Sequence, residues 1–410
     1  MQVLVNTLIE SSNLILCCIE LLVMKILVAD LTDVRINLRP KRHIDFLVEE
    51  GHEVDVLSLA PPGQEIERGL RYIQIPHWPR SIASRDWWVR FMSSKILPPG
   101  HKWGEGGLAY RKAILGDSAI EETTYDLCLV ERLELLPALL ELDSIKKIII
   151  DLREYHPGQN EPSLFWRLLR KPEVKRIYRH HLPLVDGVIT VSRGIQNRLL
   201  TEWGVSSFVA LSAPNEEPIS KSSDPSRPLK LVHHGVAAKQ RSLEFIVDAI
   251  GGLPSVTLTF YLVGHAKNIE NLVRRARRYP NIEFRAAVHP TKIVESMSEF
   301  DIGVIFYPLN NFNFVAAMPN KFFEYITAGI PPLVSSGTDM ASFVKQSSFG
   351  FTTKYSSAKD LRAFIDSIEP EDIIMQRSFL ADAQERISPK RQKAVLISLV
   401  DDVTNKDVPN

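Results

Sequence analysis

Residues 214–229 read Pro-Asn-Glu-Glu-Pro-Ile-Ser-Lys-Ser-Ser-Asp-Pro-Ser-Arg-Pro-Leu. Four prolines and four serines in sixteen positions leave no periodic apolar face, and such a composition reads as a linker. The same alternation of short apolar runs and helical patterns lies on both sides of it. After it, Leu231–His234, Thr257–Val263, Ile282–Arg285, Asp301–Tyr307 and Pro332–Ser335 read as strands. The helix after the first of these is marked by Leu243, Ile246, Val247 and Ile250, an i, i+3, i+4, i+7 series. Before the linker the strand candidates are Lys25–Leu31, Glu53–Leu59, Arg71–Ile75, Asp126–Val130, Lys147–Leu152, Gly187–Val191 and Phe208–Ser212. Continuous apolar strands separated by helices imply parallel sheets covered on both faces. The fold class is therefore α/β, with two Rossmann-like doubly wound domains expected to face each other across a cleft. The predicted boundaries are 24–214 for the first domain, 215–229 for the linker and 230–385 for the second. A C-terminal helix and tail, 386–410, are expected to pack back on the first domain.

Composition narrows the function. The chain has 410 residues with 49 Lys+Arg and 49 Asp+Glu, so the formal net charge is zero. A general nucleic-acid binder needs a basic surplus, and none is present. The three cysteines, Cys17, Cys18 and Cys128, form neither a disulfide framework nor a zinc-ligand spacing, which suits a reducing, cytoplasmic location. Residues 1–23 lack the basic start and small-residue cleavage site of a secretory signal. The sequence changes character at Met24-Lys25-Ile26-Leu27-Val28-Ala29-Asp30, so 1–23 reads as an upstream extension, and full activity of a chain starting at Met24 is expected.

Open parallel sheets hold ligands beyond the carboxyl ends of their strands. The most informative stretch there is Pro319-Asn320-Lys321-Phe322-Phe323-Glu324-Tyr325-Ile326-Thr327-Ala328-Gly329-Ile330-Pro331-Pro332. It reads as a short helix with Asn320 as N-cap, Gly329 as the left-handed residue at its end and Pro331 as a stop. Lys321 at the first helical position opposes the helix dipole, and Glu324 is one residue too late for a capping box. A bound phosphate explains the lysine, and a ribose diol the glutamate; a surface helix with indifferent charges is the alternative. Gly235-Val236-Ala237-Ala238-Lys239-Gln240-Arg241-Ser242 places a second cation, Arg241, at another strand-to-helix junction, beside a glycine that permits close backbone approach. A diphosphate bridging the two junctions is the economical reading.

In this ordered series the chain resembles the GT-B glycosyltransferases, in particular the retaining family 4 (group 1). Asp186–Ser192, Leu211–Asn215, His234–Glu244, Tyr261–His265, Asn281–Val288 and Pro319–Pro332 carry the likeness. The resemblance implies transfer of a sugar, as in hexosyltransferases, from a nucleotide-sugar donor to a hydroxyl acceptor in polysaccharide or glycolipid synthesis. It implies retention of configuration and no metal or cofactor, the donor being a substrate. It places Gly235, Arg241, Gly264, Val288, Asn320, Lys321 and Glu324 on the donor: Arg241 on the diphosphate, Glu324 on ribose, Asn320 and Lys321 beside the phosphates, Val288 against the base. On the acceptor side, Asp151-Leu152-Arg153-Glu154-Tyr155-His156 follows a strand, and His156 or Glu154 is the expected catalytic group, with Asp151 and Arg153 as supports. Glu131 and Arg132 are expected to line the same cleft. Two positions depart from the family: Ala316 stands where its first glutamate would fall, and Val236 where an arginine is frequent. A nucleotide-sugar epimerase on the same fold, and a binding partner that has lost catalysis, are the alternatives.

Residues 77–96 hold three tryptophans and four cations. They read either as a loop and helix packed on the domain or as a peripheral contact with anionic lipid at the inner face of a membrane. Arg39, Lys41, Arg42 and His43 read as a contact to an anionic acceptor or as the wet face of a helix. Gly104-Glu105-Gly106-Gly107-Leu108-Ala109 fits a dinucleotide fingerprint on paper but does not follow a strand.

Overall fold

The computed structural model describes residues 23–35, 37–59, 70–75, 119–159, 163–164, 166–219, 224–354 and 357–405. The expectations for residues 1–22, 77–96 and 104–109, and for Cys17 and Cys18, lie outside the described residues.

The first sheet is built from β1 (Lys25–Ala29), β2 (Glu53–Ser58), β3 (Leu70–Gln74), β4 (Leu127–Val130), β5 (Ile148–Leu152), β6 (Gly187–Thr190) and β7 (Phe208–Val209). Its order is β3-β2-β1-β4-β5-β6-β7, with parallel registers such as Ile26 opposite Val54 and Leu127. The second sheet holds β8 (Leu229–Val236), β9 (Val256–Val263), β10 (Ile282–Arg285), β11 (Ile302–Ile305), β12 (Pro332–Ser335) and β13 (Phe351–Thr353), in the order β10-β9-β8-β11-β12-β13. The central strands are buried along their length, which is why they read as unbroken Val, Ile and Leu runs rather than alternating ones. In both sheets the winding reverses beside the first strand, between β1 and β4 and between β8 and β11. Those switch points are where open sheets receive ligands.

The helices that matter for the site are short. They are α1 (Leu38–Glu49), α2 (Lys171–His180), α3 (Arg193–Trp203), α4 (Leu243–Ile250), α5 (Asn320–Thr327) and α6 (Asp339–Ser347). Ser192 caps α3 by accepting the Ile195 N–H at 3.3 Å, and Thr338 caps α6 by accepting that of Ala341 at 3.1 Å. On α4, Leu243, Ile246, Val247 and Ile250 are all buried against Leu231, Leu258 and Val304 of the second sheet. Each such side chain contributes about 1.5–3 kcal/mol on leaving water.

Several expectations change. Asn320 is not the N-cap: Pro319 takes that place with φ −75° and ψ 153°, so the helix begins one residue earlier than expected and Lys321 is its second residue. Proline there already holds the extended conformation of a cap residue, so Asn320 falls inside the first turn. The run Asp301–Tyr307 is a strand only over Ile302–Ile305, and Phe208–Ser212 only over Phe208–Val209. Asp151 lies within β5, inside the expected run Lys147–Leu152, and is buried, so the polar turn after this strand begins only at Arg153. The sequence reading passed over β13, a three-residue strand of Phe-Thr-Thr that is only half covered.

The described residues divide into two compact units, those within 23–150 with 184–186 and 402–405, and those within 151–183 with 187–401. Among the described residues no helix is long and apolar enough to cross a membrane.

Candidate functional site

The donor-side residues gather at the carboxyl end of β8, beside the switch point of the second sheet. Gly235 there has φ 118°, a conformation that side-chain-bearing residues rarely adopt. A Cβ on it would meet Lys321 Nζ at 3.0 Å and Arg241 Nη1 at 3.8 Å. The missing side chain is thus what lets both cations close over the backbone. Arg241 sits in the turn just before α4, half-buried; its Nη1 donates to the Val236 carbonyl at 3.5 Å and its guanidinium lies 5.7 Å from the ring centre of Tyr307. Lys321 comes from the first turn of α5 and is only 5% exposed. Burial, reinforced by the neighbouring Arg241 charge, lowers its amine to about 7. The Lys321 amine, from the start of a helix, and the Arg241 guanidinium therefore face one small backbone surface, a natural seat for an anion.

Glu324, one turn along α5, is buried, and its Oε2 lies 3.1 Å from His234 Nε2 without hydrogen-bond alignment. Tyr325 packs edge-on against the His234 ring at 5.2 Å, and its hydroxyl accepts the His234 N–H at 3.3 Å and donates to the Val232 carbonyl at 3.4 Å. Gly264, just past β9, leaves room for the Val236 side chain, whose Cγ1 would lie 3.2 Å from a Cβ there. Asn320 is exposed at the start of α5. Val288 is half-buried beyond β10, the edge strand, and is not among the neighbours of Gly235. The structure thus brings Gly235, Arg241 and Lys321 together, with Glu324 a turn away. Sequence reasoning passed over His233, His234, Tyr307 and Tyr325. Two adjacent histidines in a buried strand, directly before a glycine, were the available signal.

The acceptor-side residues occupy the end of β5 and the turn after it. Arg153 Nε donates to Asp151 Oδ2 at 3.3 Å, a local pair of strand and turn. Glu154 is exposed and accepts from Gln159 Nε2 at 2.7 Å. His156 is half-buried with Nδ1 3.1 Å from the Tyr178 hydroxyl on α2. This turn is clasped by a second segment. The Asn313 amide accepts the Tyr155 N–H at 2.8 Å and donates to the Tyr155 carbonyl at 3.1 Å, as a partner strand would. Asn311 Nδ2 donates to the Gly158 carbonyl at 3.2 Å, and the Arg198 guanidinium of α3 lies 4.6 Å from the Tyr155 ring and 4.2 Å from that of Phe312. Asn313→Ala removes both bonds to Tyr155 at once; amide exchange at Tyr155 is expected to rise at least about tenfold, from a loss of at least about 1.4 kcal/mol. Unchanged exchange would count against the clasp.

In the other unit, His43 Nδ1 lies 2.6 Å from Glu131 Oε1, both buried, and Arg132 Nε donates to Asp30 at 3.3 Å. Arg39, Arg42 and His43 are buried, so of the four basic residues on α1 only Lys41, paired with Asp45 at 2.9 Å, belongs to a wet face.

No protein-family model and no curated protein sequence matches the chain. Solved structures do. HepE from Anabaena in complex with UDP-glucose aligns with a TM-score of 0.64 at 15% identity, covering 92% of this chain and all of that one. WaaG, a glycosyltransferase involved in lipopolysaccharide biosynthesis, aligns at 0.60 and 11% identity over 92% of this chain and 99% of its own. TarM from S. aureus, crystallised with fondaparinux, alpha-GlcNAc-glycerol and UDP, aligns at 0.53 and 12% identity; this chain spans only 55% of it. The two parallel α/β sheets, in their order along the chain, are those of the GT-B fold.

Proposed function

We propose that this chain is a glycosyltransferase that takes a sugar from a nucleotide-sugar donor and passes it to a hydroxyl group of a carbohydrate or lipid-linked acceptor. One observation carries the reading: Lys321 Nζ and Arg241 Nη1 converge on the bare backbone of Gly235 at the first turn of α5. The leaving group of such a transfer is a nucleoside diphosphate, whose negative charge grows as the glycosidic bond breaks. Two preorganised cations and a helix start stabilise that charge more in the transition state than in the ground state, which is what accelerates the step. The same charges make a metal unnecessary in this reading, and no cofactor enters it. Glu324 is then the ribose ligand, with His234 and Tyr325 fixing its surroundings, and Asn320, Gly264 and Val288 border the donor. His156 is the polar group nearest the reacting sugar, with Glu154, Arg153 and Asp151 behind it, and transfer runs with retention. The solved structures with UDP-glucose and UDP support the donor class, and those with carbohydrate ligands the acceptor class. A cytoplasmic enzyme of polysaccharide or glycolipid synthesis is the setting that fits.

A second reading has its own observation. Ala316 is 1% exposed, and its Cβ lies 3.2 Å from where a Cβ on Gly194 would stand, so this buried place holds a methyl group and no carboxylate. A donor-binding partner without catalysis follows if that carboxylate is indispensable. Arg241→Ala and Glu324→Ala decide the donor roles: both are expected to lose at least about 90% of nucleotide-sugar-dependent transfer, a loss of about 1.4 kcal/mol or more, while melting as wild type does. Wild-type turnover in either variant would reject its role.

A further inference from the structure

His233, the fifth residue of β8, has no part in the scheme above. Its side chain is completely buried. Nδ1 lies 2.8 Å from the carbonyl oxygen of Val304 on β11, so Nδ1 carries the proton and donates it there. That tautomer leaves the Nε2 lone pair facing Lys321 Nζ at 3.2 Å. Burial, with Lys321 next to it, keeps the ring neutral. The imidazole is therefore a rigid acceptor between the β11 backbone and the buried lysine. It takes one of the amine's hydrogens, and a Cβ on Gly235 would lie 3.0 Å from the same amine.

We propose that His233 is a positioning residue that holds the Lys321 amine over Gly235 and couples binding of a diphosphate to protonation of that amine. The inference rests on the reading of this place as a donor diphosphate site. The groups facing Lys321 are few. Arg241 opposes its charge and Glu324 favours it, while His233 approaches from β8 at 3.2 Å; His234 lies beside His233, Tyr325 beside Glu324, and Tyr307, from the segment after β11, beside Arg241. Around neutral pH the free amine is accordingly part neutral. An anion placed against it restores the ammonium, so binding takes up a proton, and affinity falls as the pH rises past the point where the free amine loses its own.

The test uses UDP-glucose on the full chain, with affinity measured across pH. Its diphosphate is esterified at both ends and has no second ionisation to confuse the profile. Wild-type affinity should be level in mild acid and weaken above about pH 7, by up to about tenfold per pH unit. Lys321→Met should abolish the break. In His233→Asn the amide still reaches the Val304 carbonyl but not Lys321; affinity should drop by about tenfold and the break should move to lower pH, because the ammonium has lost its acceptor. His233→Gln, whose Oε1 reaches the position of Nε2, should restore both toward wild type. Melting checks that each variant is folded. Wild-type affinity and an unmoved break in His233→Asn would overturn the proposal. So would a weaker affinity with the break unmoved, the mark of a purely structural role, or no recovery in His233→Gln. If the wild-type chain itself binds no nucleotide sugar, the donor-site reading fails first and takes this inference with it.

Discussion

Lys321→Met is expected to make the protein more stable and its site useless. A fully buried amine is costly to keep charged, and burial has brought this one down to about 7 from an ordinary 10.5. Below about pH 7 the amine is protonated in both folded and unfolded chains, and the folded state carries the whole cost of the buried charge. Between about 7 and 10.5 the unfolded chain binds the proton and the folded one does not, so stability rises with pH through that window. The methionine variant has no such rise and should melt at higher temperature than wild type at neutral pH. Its affinity for a nucleotide sugar should fall about 100-fold, the loss of one charge-assisted contact of about 2.7 kcal/mol in a dry site. Thermal melts from pH 6 to 10, with and without UDP-glucose, read both effects. A variant that melts lower than wild type at neutral pH, or that binds equally well, would contradict this role for the lysine.

Gly303→Ala should have the largest effect on the fold. Gly303 lies in β11 opposite Pro332, and a Cβ on it would sit 2.2 Å from Cδ2 of Tyr325. The Tyr325 ring is fully buried and packs against His234, so it cannot yield without opening the site. Over-packing of this kind costs about 3 kcal/mol, which lowers Tm by roughly 6–12 °C in a unit of this size. Donor affinity should fall with it, since Tyr325 bonds the backbone of His234. A melting curve that matches wild type would show that the strand and helix can separate there freely.

Much of this architecture is legible in the sequence because parallel strands are buried on both faces. Runs such as Ile148-Ile149-Ile150 and Leu27-Val28-Ala29 announce themselves without any partner. β13 does not, because a three-residue edge strand of Phe-Thr-Thr carries too little apolar weight. At the site, Arg241 and Lys321 stood out as cations at helix starts, where the dipole disfavours them. Gly235 completes them only in three dimensions, since the two helices come from chain segments 80 residues apart. The role of His233 was hidden in the same way. The histidine pair itself is visible in β8, but only the pairing of β8 with β11 and the packing of α5 show what the two nitrogens of His233 face. The clasp of Asn313 on Tyr155 joins residues 158 positions apart, and no local pattern encodes such a contact. Asp151 and Arg153 are expected as supports of His156 or Glu154; what no local pattern encodes is that they bond each other at the strand's end.

The central claim, a nucleotide-sugar site at the end of β8, is tested most directly by thermal melting of the wild-type chain against UDP, GDP, ADP, CMP and their common sugar conjugates. A ligand that binds only the folded state raises Tm, by about 2.7 kcal/mol of added stability at 100 times its Kd. A rise with the diphosphates of one base, lost in Glu324→Ala, is the expected result and names the donor class. No rise with any nucleotide or nucleotide sugar would contradict it.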